Sequence, residues 1–279
     1  MKLIHIKNIL IVACLIIIAS ANISAQSFYV MHIKGKLFRQ INGKEIAQGE
    51  VITSADKIRF SDNTASAVLI NTKTGRYILK PVTGKSSSEL NYVVSQVISP
   101  MNQTAGLNTR GGVSDSGGDV KEIDDYFGEG SFLFCDSINK ISLNATKYPM
   151  DPSHYFVYSY KYHSENVNKK IGWDNNILLI EYKPLYTVKS EIIHTDSLPE
   201  VKLYYVNGSI EDSEIVASFH PIFKSREDML VELGMVKKIY ATDQSNTSAI
   251  RMQLKSYIRD VYGKSDSAVL ENLLMEVMK

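Results

Sequence analysis

The rhythm of apolar and polar positions changes three times along this chain, and each change predicts a different kind of structure. Over residues 28–79, short apolar runs are broken by turn signals about every ten positions, the spacing of a small all-β unit. Residues 28–33 read as a strand, and Lys34-Gly35 turns the chain into Lys36-Leu37-Phe38. Asn42-Gly43 predicts a hairpin, because both residues accept positive φ. Ile46, Val51, Ile52 and Ile58 mark further short apolar positions. Residues 66–70 (Ser-Ala-Val-Leu-Ile) and 77–79 (Tyr-Ile-Leu) flank the turn Lys73-Thr74-Gly75. This pattern predicts a small β-barrel or sandwich over residues 26–99.

From Pro100 the large apolar residues thin out. Gly106, Gly111, Gly112, Gly117, Gly118, Gly128 and Gly130 stand among Asn, Ser, Thr and Asp. Such a stretch buries too little surface to offset the entropy of ordering it, so residues 100–130 read as a flexible linker.

A second unit, 131–279, opens with strand patterns. Residues 132–135, 138–143, 177–182, 202–206 and 214–219 are candidate strands, the last two joined by Asn207-Gly208. The clearest alternation runs over residues 154–162 (His-Tyr-Phe-Val-Tyr-Ser-Tyr-Lys-Tyr). A period of two puts Tyr155, Val157, Ser159 and Lys161 on one face and Phe156, Tyr158, Tyr160 and Tyr162 on the other. From Ser225 the period becomes helical. Ser225 caps a helix with Glu227 and Asp228 in its first turn, where negative charge suits the helix dipole. Asn246 or Thr247 starts a second helix, stopped by Gly263, and Ser265-Asp266 caps a third. The expected class is therefore α+β: a small N-terminal β unit, a Gly-rich linker, and a β-rich domain ending in a helical bundle over 225–279.

The first 25 residues follow neither rhythm. Lys2 and Lys7 precede an apolar run over 9–19, and small residues lead to Ser24-Ala25-Gln26. That order reads as a cleaved signal peptide. The run is too short to cross a bilayer of roughly 30 Å as a helix, so no transmembrane anchor is expected after cleavage. Ile11-Val12-Ala13-Cys14 fits a loose lipobox, but the apolar core continues past Cys14, so cleavage near Ala25 is favoured over lipidation. The expected location is periplasmic or secreted.

Export changes which chemistry is plausible. Removing residues 1–25 takes two lysines and no acid from 31 basic and 30 acidic residues, leaving a formal charge of −1. A near-neutral surface argues against nucleic-acid binding, which needs a basic face. Nucleotide chemistry loses its substrate outside the cytoplasm. Cys135 is then the single remaining cysteine, so no internal disulfide is expected and burial must hold the domains. Its apolar setting, Phe132-Leu133-Phe134, reads as a buried small hydrophobe rather than a reactive thiol.

The N-terminal strand pattern carries a resemblance. Gly35-Lys36-Leu37 is followed by Ile46-Ala47-Gln48-Gly49-Glu50-Val51-Ile52, then by Asp56-Lys57-Ile58. Ala65-Ser66-Ala67-Val68-Leu69-Ile70 and Gly75-Arg76-Tyr77-Ile78-Leu79 complete the order. This resembles FecR-type β domains of bacterial periplasmic proteins over about residues 28–82. The resemblance implies a periplasmic binding module. It does not imply that family's regulatory role, because only eight residues precede the apolar run where an anti-sigma segment would stand. The Ser-Ala-Gln boundary and the Asn, Lys, Ile and Tyr-rich composition also resemble exported proteins of Bacteroidota. Residues 131–279 resemble no family.

Catalytic signatures are sparse. Ser114-Asp115-Ser116-Gly117-Gly118 echoes a trypsin-like nucleophile motif, but only His32 lies upstream of it after residue 25, without the flanking pattern a base needs. Thr83-Gly84-Lys85-Ser86 ends like a phosphate loop, yet position 79 is Leu where the motif needs Gly. His32, His154, His163, His194 and His220 show no metal-ligand spacing, and Glu122, Asp124, Asp125 and Glu129 lack calcium-loop spacing. No cofactor is expected. Phe156, Tyr158, Tyr160 and Tyr162 form a candidate binding face, with a closed core as the competing assignment. Ser137, Ser197 and Ser267 each follow Asp and precede an apolar or small residue, which makes them candidate O-glycosylation sites. The expected function is a non-enzymatic binding or scaffold protein of the cell envelope, with a protein or envelope polymer as partner. The alternatives are an accessory or inhibitor subunit of an exported enzyme, and a hydrolase using separated residues such as Asp151, His154 and His220.

Overall fold

The computed structural model describes residues 26–81, 96–101, 118–194, 198–242 and 246–279. The leader (1–25), most of the linker including Ser114 and Ser116, the Thr83–Ser86 stretch and Ser197 lie outside the described residues. The chain divides into two compact units, Met1–Pro100 and Met101–Lys279. The class is mixed α+β, mostly sheet, with three helices at the C-terminus.

The first unit contains β1 (Ser27–Lys34), β2 (Leu37–Arg39), β3 (Val51–Thr53), β4 (Ile58–Phe60), β5 (Ser66–Asn71), β6 (Gly75–Pro81) and β7 (Gln96–Pro100). Five of them pair antiparallel in the order β3-β1-β5-β6-β7, and β2 pairs with β4. In β1, Phe28 and Val30 alternate inward, and Met31 is buried as well because the register slips between Val30 and Ile33. That slip is a bulge, which bends the strand. Phe28, Val30, Leu37, Ile52, Phe60 and Leu69 are central to the core. Gly35 has φ 72, and a Cβ there would stand 2.8 Å from the Ala65 Cβ, so the turn after β1 needs glycine on both counts. The predicted Asn42-Gly43 turn is present, with the Gly43 amide donating to the Arg39 carbonyl at 2.8 Å.

The second unit starts earlier than its apolar strands suggest. Val120 bridges to Leu143, and α1 (Ile123–Phe127) buries Ile123 and Phe127 to 1% exposure each. Residues 118–130 therefore belong to this unit, not to a linker running to 130. Val120, Ile123, Tyr126 and Phe127, in an otherwise polar, Gly-bounded stretch, anchor it on the core. Next come β8 (Ser131–Phe134), β9 (Ile138–Ser142), β10 (His154–Tyr162), β11 (Glu165–Lys170), β12 (Gly172–Asp174) and β13 (Ile177–Glu181). After them stand α2 (Tyr182–Tyr186), β14 (Thr187–Val188), β15 (Glu191–Ile192), β16 (Val201–Asn207) and β17 (Ser209–Phe223). The tail is α3 (Arg226–Ala241), α4 (Thr247–Tyr262), β18 (Lys264–Ser265) and α5 (Ser267–Met278).

The main sheet has the order β11-β10-β16-β17-β8-β18, antiparallel as far as β17 and parallel from β17 through β8 to β18. A three-stranded sheet, β12-β13-β9, shares one apolar cluster with its inner face. Ile141, Leu178 and Ile180 from the small sheet meet Phe156, Tyr158 and Phe219 from the large one in that cluster. Phe127 stacks on Phe219 with ring centroids 4.1 Å apart, so α1 closes one end of the core.

On β8, Phe132 and Phe134 face this core, so Leu133 and Cys135 point to the other side. There α4 packs on β8 and β18, and α3, α4 and α5 pack on one another. The three helices carry the expected caps: Ser225, Asn246 and Asp266 accept from the amides of Asp228, Ser248 and Val269. Gly263 ends α4 with φ 81. A Cβ there would come within 2.3 Å of the Ser131 carbonyl oxygen, so only glycine lets the helix end against β8 and continue as β18. At the opposite end, across β16 and β10, the same outer face of the sheet carries a groove among the described residues.

Candidate functional site

The site is built by the alternation of β10 and β16. Phe156 and Tyr158 are 0% exposed and Tyr160 is 3% exposed, while Tyr162 is partly buried against the same core. The Tyr158 and Tyr186 hydroxyls are 2.8 Å apart, and the Tyr160 hydroxyl donates to the Leu185 carbonyl at 2.8 Å. Burial pushes the Tyr160 phenol up to about 12 and raises that of Tyr158 further. The aromatic face is thus sandwich core and presents no platform to a ligand. A facing sheet that covers the rings, with the short helix α2 supplying the partners of both hydroxyls, is the reason, and a single strand cannot reveal it.

The opposite face forms a half-open groove of about 750 Å³. Pairing register places its residues in rows. Tyr155 stands across from Val206, Val157 across from Tyr204, and Ser159 across from Lys202. On the outer strand, Asn168 is opposite Ser159 and Asn166 opposite Lys161. Ile210 and Ser213 close one wall, and Pro199 and Glu200 close another. Directly opposed residues share a face, so this register fixes the lining.

The groove is chemically divided along its length. One end is apolar and aromatic: Tyr155, Val157, Tyr204, Val206 and Ile210. Beside it, the Lys170 ammonium sits 3.5 Å above the Tyr155 ring and 5.1 Å from that of Trp173, a cation–π arrangement that covers one face of Tyr155. Ile210 and Ile215, five residues apart on β17, are 74% and 53% exposed. The other end is polar and cationic: Ser159, Asn166, Asn168, Lys161 and Lys202. Neither lysine has an ion-pair partner among the described residues. The nearby Glu200 carboxylate accepts from the Ser218 hydroxyl at 2.9 Å.

The other candidate residues lie apart. His154 Nδ1 is 2.8 Å from Asp151 Oδ2, and Asp151 Oδ1 accepts from the Ser153 and His154 amides. The His154 hydrogen bond leads the interactions that hold the Asp151 carboxyl below its usual range. Asp151 thereby serves the turn into β10. His154 pairs with Asn207 at one end of β16, whereas Phe219, next to His220, pairs with Val201 at the other. That is about 20 Å of strand, so Asp151, His154 and His220 do not form one constellation. Cys135 is 1% exposed, and burial, with Asp136 adding to it, pushes its thiol up to about 12, far from a reactive thiolate.

Glu122 pairs with Lys147, and Asp124 and Asp125 face solvent on α1. No group of three or more His, Cys, Asp or Glu suited to a metal occurs among the described residues. Of the candidate glycosylation serines, Ser137 is exposed and Ser267 is half-buried at the start of α5. Its neighbour Asp266 caps that helix and accepts from the Tyr126 hydroxyl at 2.9 Å. No helix among the described residues is long and apolar enough to cross a membrane.

Sequence reasoning missed most of the groove. The alternation of Lys202, Tyr204 and Val206 against Leu203 and Tyr205 was readable, but β11 (Glu-Asn-Val-Asn-Lys-Lys) has too few apolar residues to announce a strand. Its hairpin uses His163 and Ser164, both at positive φ, in place of the usual Asn-Gly. No protein-family model matches this chain, and a comparison with curated proteins found no match.

Proposed function

We propose that this chain is an exported, non-enzymatic binding or scaffold protein of the cell envelope, and that its second unit docks a partner protein on the open face of the main sheet. The observation that carries the reading is the groove itself. It combines exposed isoleucines, a half-exposed tyrosine pair and lysines without ion partners among the described residues on one side of a sheet whose other side is fully packed. Apolar patches rimmed by polar groups are the usual mark of an interaction surface. The first unit, in this reading, is a FecR-like β module tethered to the second, and the leader is removed near Ala25. A photo-crosslinking residue at Tyr204 tests the docking surface in cells, with Met252 on α4, 67% exposed, as the control position. Adducts at position 204 that are missing at 252 support docking; equal yields, or none at 204, refute it. Intact mass of the exported protein tests the leader: a mass that still includes residues 1–25 refutes cleavage.

A further inference from the structure

We infer that the groove takes an extended polypeptide segment of its partner about six residues long, apolar at one end and acidic at the other. The inference deepens the docking reading above and rests on it.

Length comes from the strand. The groove runs from the level of Tyr155 to that of Lys161, six residue steps along β10, about 20 Å at the rise of a strand and so the span of about six extended residues. Direction comes from charge. Lys161 and Lys202 are diagonal neighbours at one end, because Ser159 stands opposite Lys202 and Lys161 follows two residues later on the same face. Both are exposed. Glu200 lines the same end, where its carboxylate accepts from the Ser218 hydroxyl, and Glu165 on the neighbouring hairpin pairs with Lys189, so the two lysines leave that end cationic by one charge. The exposed acids Glu211 and Asp212 stand instead beside Ile210, at the opposite end, where Asp212 accepts from Ser209 at 3.0 Å. The surface is therefore polarised along the groove: net cationic at Lys161 and Lys202 even with Glu200 beside them, and anionic beyond Ile210, where Lys170 is engaged over the Tyr155 and Trp173 rings.

A bound segment lowers its energy by placing carboxylates at the lysines and uncharged apolar side chains over Val157, Tyr204 and Ile210. The reversed segment would bring its acids against Glu211 and Asp212. Asn166 and Asn168, exposed on the outer strand, supply amides that can pair with a peptide backbone. The exposed isoleucines favour a polypeptide over an anionic glycan, because a sugar has little use for Ile210 and Ile215 while Lys170 already occupies a face of Tyr155.

The test is selection of a random linear peptide library, displayed on phage, on the whole protein, followed by fluorescence anisotropy with the enriched peptides. Enrichment of sequences with two or more Asp or Glu to one side of apolar residues is expected. The double variant Lys161→Glu/Lys202→Glu should weaken their binding about tenfold, and added salt should weaken it too. Ile210→Ser should weaken it severalfold, while Lys238→Glu on α3 should leave it unchanged. Circular dichroism confirms that each variant is folded. Enrichment of basic or uncharged sequences, no enrichment, or binding indifferent to Lys161 and Lys202 overturns the inference. Binding of polygalacturonate with no peptide enriched overturns it in favour of an anionic glycan. These results differ from failure of the docking reading itself, in which position 204 gives no crosslinked partner at all.

Discussion

Tyr158 and Tyr204 stand on paired strands and face opposite ways, so their removal measures what each face of the sheet does. Tyr158 is fully buried, packs against Tyr160, Tyr186 and Phe219, and shares a 2.8 Å hydrogen bond with the Tyr186 hydroxyl. Truncating a buried aromatic to alanine costs about 3–5 kcal/mol. Leaving the Tyr186 hydroxyl without its partner adds about 1–3 kcal/mol. Tyr158→Ala should therefore lose at least about 4 kcal/mol, a large share of the roughly 5–15 kcal/mol that stabilises a typical domain. Tyr158→Phe keeps the packing and should lose only the hydrogen-bond share, about 1–3 kcal/mol. Tyr204 is half-buried on the groove, with no side-chain hydrogen bond among the described residues. Tyr204→Ala should cost about 1 kcal/mol or less. The assay is urea unfolding followed by the fluorescence of Trp173, the single tryptophan of the chain, whose strand belongs to the second unit. If Tyr158→Ala costs no more than Tyr204→Ala, the assignment of inner and outer faces is wrong. If Tyr158→Ala does not fold, the graded loss in Tyr158→Phe still decides.

Three further outcomes follow from particular contacts. Gly263→Ala should destabilise the second unit by more than about 2 kcal/mol in the same urea assay, because it combines positive φ with a Cβ driven into the Ser131 carbonyl; a neutral result would disprove the close approach of α4 to β8. Glu232 is 6% exposed and accepts from the Tyr257 and Tyr262 hydroxyls at 2.5 and 2.7 Å, so Glu232→Ala should cost about 2–5 kcal/mol and Glu232→Gln, which keeps one acceptor oxygen, distinctly less; equal losses would show that the tyrosine bonds contribute little. In the first unit, the Thr64 hydroxyl, followed by that of Ser61, leads the donors that lower the Asp62 carboxyl to about 2. Its ionised form is favoured in the folded state, so its stabilising effect is complete above the ordinary aspartate range and is lost as pH falls through about 2. A carboxyl NMR titration should give that midpoint and move upward in Thr64→Ala; an ordinary aspartate midpoint in the parent protein would refute the capped turn.

The local elements were legible along the chain, because their causes are local. Strand β10 emerges with the bounds read from its alternation, and each C-terminal helix starts at a capping residue visible in the chain. Asn42-Gly43 and Asn207-Gly208 turned where positive φ was affordable, and both glycines adopt it. What alternation cannot say is which of two faces turns inward. For β10 that depended on a second sheet, built from segments on either side of it in the chain, whose Leu178 and Ile180 cover the aromatic side and whose neighbour Tyr186 satisfies the Tyr158 hydroxyl. The same holds for α1, where Ile123 and Phe127 look like incidents in a polar stretch until both join the core and Phe219 stacks on Phe127. The groove is the extreme case. Its lining comes from β10, β11, β16, β17 and the segment before β16, and one of those strands is too polar to be recognised alone. Periodicity fixes which residues share a face of one strand; only the register between strands, set by long-range pairing, brings Tyr155, Tyr204, Lys161 and Lys202 onto one surface.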